Sequence, residues 1–217
     1  SAWTETLYVQ ITNTAQTDAL TLAATPTRHA VTLEIADAGT SEKYIIYRDG
    51  VAIYAGTAKT FTDVCANGET RYFARALKSN GYYAQSAAAT VDATPKNDCM
   101  YDVEAAEWVP LMYSLSRRMR NYSRSGRVTY KYYAGRAKPV AYNPGYIVRQ
   151  LSAAYAFKTC AEAERLNDAV GRMMIYKDTR GGVVIGIVDD VSIAVNPRIY
   201  SAQISLTEID YEEEVKV

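Results

Sequence analysis

The run from Met173 to Val217 limits the fold more than any other part of the chain, because its apolar residues recur at a spacing of two, and that period belongs to strands. Tyr200, Ala202, Ile204 and Leu206 alternate with Ser201, Gln203, Ser205 and Thr207, which predicts a strand with one wet face. Val191, Ile193 and Val195 alternate in the same way. Val183–Val188 is apolar without a break, which predicts burial on both faces. It is joined to Met173–Tyr176 by Lys177-Asp178-Thr179-Arg180-Gly181-Gly182, where paired glycines supply the positive φ of a tight hairpin. Asp189-Asp190 reads as a turn pair, and Asn196-Pro197-Arg198 as the next turn. The run closes on an acidic cluster, Glu208, Asp210 and Glu212–Glu214. The expected structure is a β-meander with no catalytic group.

Upstream, Leu7, Val9 and Ile11 alternate with polar residues, so residues 1–18 read as a strand and a connector. From Ala19 the pattern changes to short strand-like runs. These are Leu20–Leu22, Ala30–Ile35, Lys43–Arg48, Val51–Tyr54, Thr60–Asp63, Thr70–Leu77 and Tyr82–Val91. Asp49-Gly50 and Ser79-Asn80-Gly81 are hairpin signals between them. Strands at this spacing suggest a sandwich. Residues 19–94 resemble a fibronectin type III domain. The resemblance is carried by Tyr44-Ile45-Ile46-Tyr47-Arg48-Asp49-Gly50, Phe61-Thr62-Asp63-Val64 and Gly68-Glu69-Thr70-Arg71-Tyr72-Phe73-Ala74-Arg75-Ala76. It implies a core tyrosine at Tyr72, with Ala74 and Ala76 facing inward. Arg48-Asp49-Gly50 is not the integrin-binding order, so no adhesion role follows.

Thr94–Asp98 has linker composition, and residues 95–110 read as the link between two domains, with a short helix around Val103–Trp108 ended by Pro110. Residues 111–217 form the second domain. Val128–Tyr133 and Tyr146–Phe157 read as strands, with Asn143-Pro144-Gly145 between them. Thr159 and Glu162 make a capping box for a helix over 160–170, with Ala163, Leu166 and Val170 on one face and Gly171 just past its end. The expected fold class is therefore mainly β: a fibronectin III-like sandwich followed by an α+β domain, a sandwich or split barrel with one helix.

Roughly the last 90 residues are similar to the C-terminal domain of tailed-phage tail-tip and baseplate proteins. The matching residues are Tyr176, Asp178, Arg180, Gly181, Gly186, Ile187, Val191, Ser192, Ile193, Asp210, Tyr211, Glu212, Glu213 and Val215, with Tyr133–Val140 upstream. That resemblance implies a structural distal-tail protein of the virion, made in the bacterial host cytoplasm. Its partners would be copies of itself in a ring and other tail or baseplate proteins.

Charge is distributed unevenly. The chain is formally neutral, which argues against a dedicated polyanion binder. Yet from Val109 to Cys160 there is no Asp or Glu, while Arg117, Arg118, Arg120, Arg124, Arg127, Lys131, Arg136, Lys138, Arg149 and Lys158 all fall there. Tyr113, Tyr122, Tyr130, Tyr132, Tyr133, Tyr142, Tyr146 and Tyr155 are interleaved, in a chain with 19 Tyr but only 3 Phe and 2 Trp. The tract has three readings. It could be the cationic wet face of ordinary strands. It could be a subunit interface in which Arg117, Arg118, Arg120, Arg124, Arg127, Lys131, Arg136 and Lys138 meet Glu208, Asp210, Glu212, Glu213 and Glu214 of a neighbouring copy. Or its arginines could hold phosphates while tyrosines stack on bases, although a tail lumen that passes DNA is expected to be acidic or neutral. A reading from another class is a surface module that binds a host glycan or protein through Asn80-Gly81-Tyr82-Tyr83.

Catalytic chemistry finds little support. A Ser/His/Asp triad would need the one histidine, His29, which reads as structural. Glu104 and Glu107, three apart, read as a solvated face rather than a glycosidase pair. Cys65, Cys99 and Cys160 are widely spaced without a CxxC, so free thiols are expected rather than a zinc site. No catalytic residue, metal or cofactor is predicted, and no window is long and apolar enough to span a membrane.

Overall fold

The computed structural model describes residues 19–217 apart from 80, 82, 112, 115–119, 127, 144, 196–197, 214 and 216–217. The expected strand at Leu7–Ile11 and its connector lie outside the described residues, as do Pro144, Asn196 and Pro197 of two expected turns.

Eight strands come first: β1 (Leu20–Pro26), β2 (Val31–Asp37), β3 (Lys43–Arg48), β4 (Val51–Gly56), β5 (Thr60–Asp63), β6 (Glu69–Leu77), β7 (Tyr83–Gln85) and β8 (Ala89–Asp92). They form two antiparallel sheets, one ordered β1-β2-β5 and the other β4-β3-β6-β7 with β8 also on β6. Alternate residues of both sheets, among them Val31, Leu33, Ile35, Tyr44, Ile46 and Val91, close on a shared core, the packing of a β-sandwich. Tyr72 is fully buried there with Ala74 and Ala76. Its hydroxyl donates to Asp63 at 2.8 Å, which satisfies the one polar atom that the ring takes into the core. The β3–β4 turn puts both central residues at positive φ, Asp49 at 50° and Gly50 at 90°, with Arg48 opposite Val51. This is the mirror-image turn that matches strand twist.

The rest of the chain builds a second core. Its elements are β9 (Cys99–Asp102), β10 (Glu107–Pro110), β11 (Tyr113–Ser114), β12 (Asn121–Gly126), β13 (Thr129–Lys131), β14 (Val140–Tyr142) and β15 (Ile147–Phe157), then α1 (Cys160–Glu164), a short 3-10 turn Asn167–Ala169, β16 (Met173–Lys177), β17 (Val183–Val195) and β18 (Tyr200–Glu208). One large antiparallel sheet runs β10-β9-β16-β17-β18-β15-β11, with β12 also paired to β15. Among the described residues, strands β13 and β14 pair only with each other. Ala163 and Leu166 come from the helical segment onto the face made by Leu151, Tyr155, Tyr176, Ile204 and Leu206.

Several sequence expectations need correction. The span 95–110 is not simply a linker, since β9 and β10 within it extend the large sheet by pairing β9 with β16. The helix expected around Val103–Trp108 is a turn between β9 and β10, with Ala106 at φ 55°. The Asp102 carboxylate accepts the N–H groups of Glu104 and Ala105, each at 3.0 Å, and this local side-chain bonding outcompetes a helical turn. The helix over 160–170 is likewise short. The capping box forms, with the Thr159 hydroxyl accepting from Glu162 N and the Glu162 carboxylate from Thr159 N. After Glu164 the chain tightens, and Val170 turns extended to bridge Val188. The return to the sheet therefore ends the helix early, and Val170 is 45 % exposed instead of facing the core. Asp189-Asp190 is no turn: β17 passes straight through, with an irregularity in register between Val188 and Asp190. Along Val183–Val188 alternate residues are buried and half-buried, so one face is closed and the other partly covered.

Gly186 shows why one matched motif position is a glycine. A Cβ there would land on the Thr207 carbonyl of the paired strand, and backbone inside a sheet has little freedom to move aside. Gly186→Ala is expected to lower stability by about 3 kcal/mol, the upper range for overpacking, read as a shift in the urea midpoint.

Candidate assembly interface

The seam between the two cores is polar and closed. Lys177 continues the alternation of β16 on the face opposite Met174 and Tyr176, and it is fully buried. Its ammonium donates to the His29 carbonyl at 2.7 Å and the Val64 carbonyl at 3.1 Å, both from the sandwich. The Trp108 ring lies 5.6 Å away, and His29 packs 5.1 Å from that same ring. Burial pulls the Lys177 pKa down, partly offset by Cys99, Asp63 and Cys65. It pushes the Cys65 thiol up to about 11 and Cys99 up to about 12, so both stay protonated and unreactive. All three cysteines are free. Asn67 donates to the Gly182 carbonyl at 3.1 Å, and Val215 N to the Ala52 carbonyl of β4 at 2.8 Å.

A second buried network lies within the large sheet. Arg120 reaches Asp98 at 2.8 Å and lies 3.8 Å from Asp178. Tyr155 donates to Asp98 at 2.8 Å, and Tyr122 to Asp178 at 2.7 Å. Asp178 also accepts from Arg180 N at 2.7 Å and Gly182 N at 2.8 Å, closing the β16–β17 hairpin. Burial works against the Arg120 charge, but Tyr176, Asp98, Tyr155 and Asp178 more than offset it and hold its pKa up. Burial opposes the Asp178 charge too, yet the Tyr122 hydroxyl and the turn N–H groups keep its pKa low. Arg120 thus belongs to the fold and not to a cationic surface, its side chain only 15 % exposed.

The rest of the described basic tract is different. Asn121–Gly126 and Thr129–Pro139 are exposed at every residue, and from Val140 to Ile147 only Val140 is half-buried among the described residues. This stretch is a strand on the sheet edge followed by an independent hairpin, an arm whose tip turns at Ala134-Gly135. It carries Arg124, Lys131, Arg136 and Lys138. It also exposes Tyr132 at 81 %, Tyr146 at 69 %, Ile147 at 61 % and Tyr130 at 57 %, with Tyr133 and Tyr142 near half. Such concentrated apolar exposure is unusual for a surface that meets only water. Arg117, Arg118 and Arg127 lie outside the described residues.

The acidic cluster is split. Glu208 pairs with Arg149 at 2.6 Å, and Glu213 closes on Arg48, which also holds Asp63 at 2.9 Å. These two carboxylates are used within the chain, and Glu213 is not free to reach a neighbour. Asp210 and Glu212 are exposed, and Glu214 lies outside the described residues. Glu208, Ile209, Asp210 and Tyr211 border an open cleft of about 460 Å³, floored by Ile147, Val183 and Ile185.

Asp63, Cys65 and Glu213 cluster within 4.8 Å, but the Arg48 guanidinium already bridges the two carboxylates. A cleft of about 620 Å³ on the sandwich is lined by Asp49, Arg71, Phe73 and Gln85, yet Phe73 is stacked on Tyr47 at 4.6 Å with Arg75 over both rings. In the loop proposed for host recognition, Asn80 and Tyr82 lie outside the described residues, and Tyr83 is 45 % exposed. His29 sits in the seam with its buried Nδ1 unpartnered among the described residues, and Glu104 on the β9–β10 turn and Glu107 at the start of β10 are exposed. The sequence reading missed Lys177, Asp98 and Asp178 as organising residues. The one available signal was a lysine in phase with Ile175 at the end of an apolar strand. A comparison with protein-family models finds no match, and a comparison with curated proteins finds none either.

Proposed function

We propose that this chain is a structural protein of a tailed-phage tail tip or baseplate, assembling with copies of itself and other tail proteins into a ring by protein–protein contacts and without turnover. The observation that carries the assembly reading is the arm, a separate hairpin of tyrosines and cations with its side chains in solvent. A hairpin of two three-residue strands has too little internal packing to be stable alone, and a partner surface would supply the rest. Tail-tip identity rests on the resemblance, whose residues Tyr133–Val140 fall on the arm and whose Asp178, Gly181 and Gly186 shape the neighbouring hairpin. Native mass spectrometry of the full chain tests the reading. One closed homo-oligomer of defined stoichiometry is expected, and a monomer at every concentration tried would overturn it.

A further inference from the structure

Resting on that assembly reading, we propose that the arm of one copy docks in the cleft beside β17 and β18 of the next copy, a head-to-tail contact that repeats around the ring. The partner is a second copy because the two surfaces complement each other within one sequence. The arm holds Lys131, Arg136 and Lys138 with no carboxylate anywhere along it. The cleft has Glu208 and the exposed Asp210 on its rim over a floor of Ile147, Val183 and Ile185. Glu208 is engaged by Arg149, whereas Asp210 has no ion-pair partner among the described residues. Exposed tyrosines flanking cations suit such a floor, since each ring brings apolar area and a hydroxyl that tolerates the wet rim.

The geometry favours a neighbour over self-docking. Ile147 lies at the base of the arm and also lines the cleft, so arm and cleft are adjacent on one molecule. Both stay open there, with Tyr132, Arg136 and Lys138 exposed at the tip. A molecule that gives an arm at one point and receives one beside it makes a heterologous contact, which closes into a ring when the rotation permits. At about 200 Å² for a whole tyrosine, the exposed fractions of Tyr130, Tyr132, Tyr133, Tyr142 and Tyr146 offer roughly 600 Å² of ring surface. That is most of the ~800 Å² per partner that a stable interface buries.

Charge reversal tests the contact. One variant carries Lys131→Glu, Arg136→Glu and Lys138→Glu. A second carries Asp210→Lys on the cleft rim and Glu212→Lys two residues beyond it, and a third combines all five. Every position is exposed, so the fold should hold, and unchanged urea midpoints check it. Read by sedimentation velocity, the first and second variants should each weaken assembly by 100-fold or more, by about that order for several lost charge pairs. The combined chain, with both surfaces inverted, should regain the wild-type oligomer. If the arm variant dissociates while the cleft variant assembles normally, the arm docks elsewhere and this proposal falls, although assembly through the arm stands. Failure of the combined chain to recover also overturns it. A wild-type chain that is monomeric under the same conditions overturns the assembly reading itself.

Discussion

Replacing Lys177 by methionine should cost about 2–6 kcal/mol and separate the unfolding of the two cores. Methionine keeps most of the stem but leaves the His29 and Val64 carbonyls, now bonded at 2.7 and 3.1 Å, without a donor. Each orphaned buried acceptor costs about 1–3 kcal/mol, and a whole domain is stable by only about 5–15 kcal/mol. Both carbonyls belong to the sandwich and the ammonium to the large sheet, so the loss falls on the coupling between them. Differential scanning calorimetry should show one transition in the wild type and two in the variant.

The alkaline limb adds a signed check on the same residue. Burial lowers the folded pKa of Lys177 below its ordinary 10.5, so between those two values the unfolded state holds more protons than the folded one. Stability then rises with pH through that window, and the penalty is fully present below it. Cys65 and Cys99, raised from 9.0, contribute the opposite slope above that value in both proteins. In the variant the rising limb of the lysine should be absent, and the thiol limb should move to higher pH, because the Lys177 charge that lowers both thiols is gone. A variant as stable and as cooperative as the wild type would show that Lys177 does not join the cores.

The second large effect concerns assembly. Converting Tyr130, Tyr132 and Tyr133 together to serine should raise the dissociation constant of the oligomer at least about 100-fold, since interface tyrosines are frequent hot spots costing about 2 kcal/mol or more each. These rings are 57 %, 81 % and 48 % exposed in the single chain, so their removal touches no core. Unfolding midpoints should therefore match the wild type while analytical ultracentrifugation shows smaller species. An unchanged oligomer would mean that the arm is not the contact.

How far the chain was legible follows from where its signals are local. The Asp49-Gly50 turn and the alternation of Tyr200–Thr207 are local, and both appear as strand and turn chemistry dictates. Residues 95–110 read as a link in the sequence because β9 gains its partner from β16, far away in sequence, and nothing in Thr94–Asp98 announces that pairing. The helix over 160–170 was overextended because capping fixes a start, whereas the end was set by the bridge from Val170 to Val188. The charged tract was visible in outline only. Sequence cannot separate Arg120, drawn inward by Asp98 and Asp178, from Arg124, left in solvent four positions later. In the same way, Glu213 reads as one of a run, yet a loop return brings it to Arg48.

Assembly by a cationic, tyrosine-rich arm is tested most directly by sedimentation velocity of the intact chain across salt, from about 0.1 M to about 1 M, where the Debye length falls from about 10 Å to about 3 Å. The account predicts a closed oligomer at the low end whose dissociation constant rises steadily with salt. A chain that stays monomeric throughout, or an oligomer indifferent to salt, would contradict it.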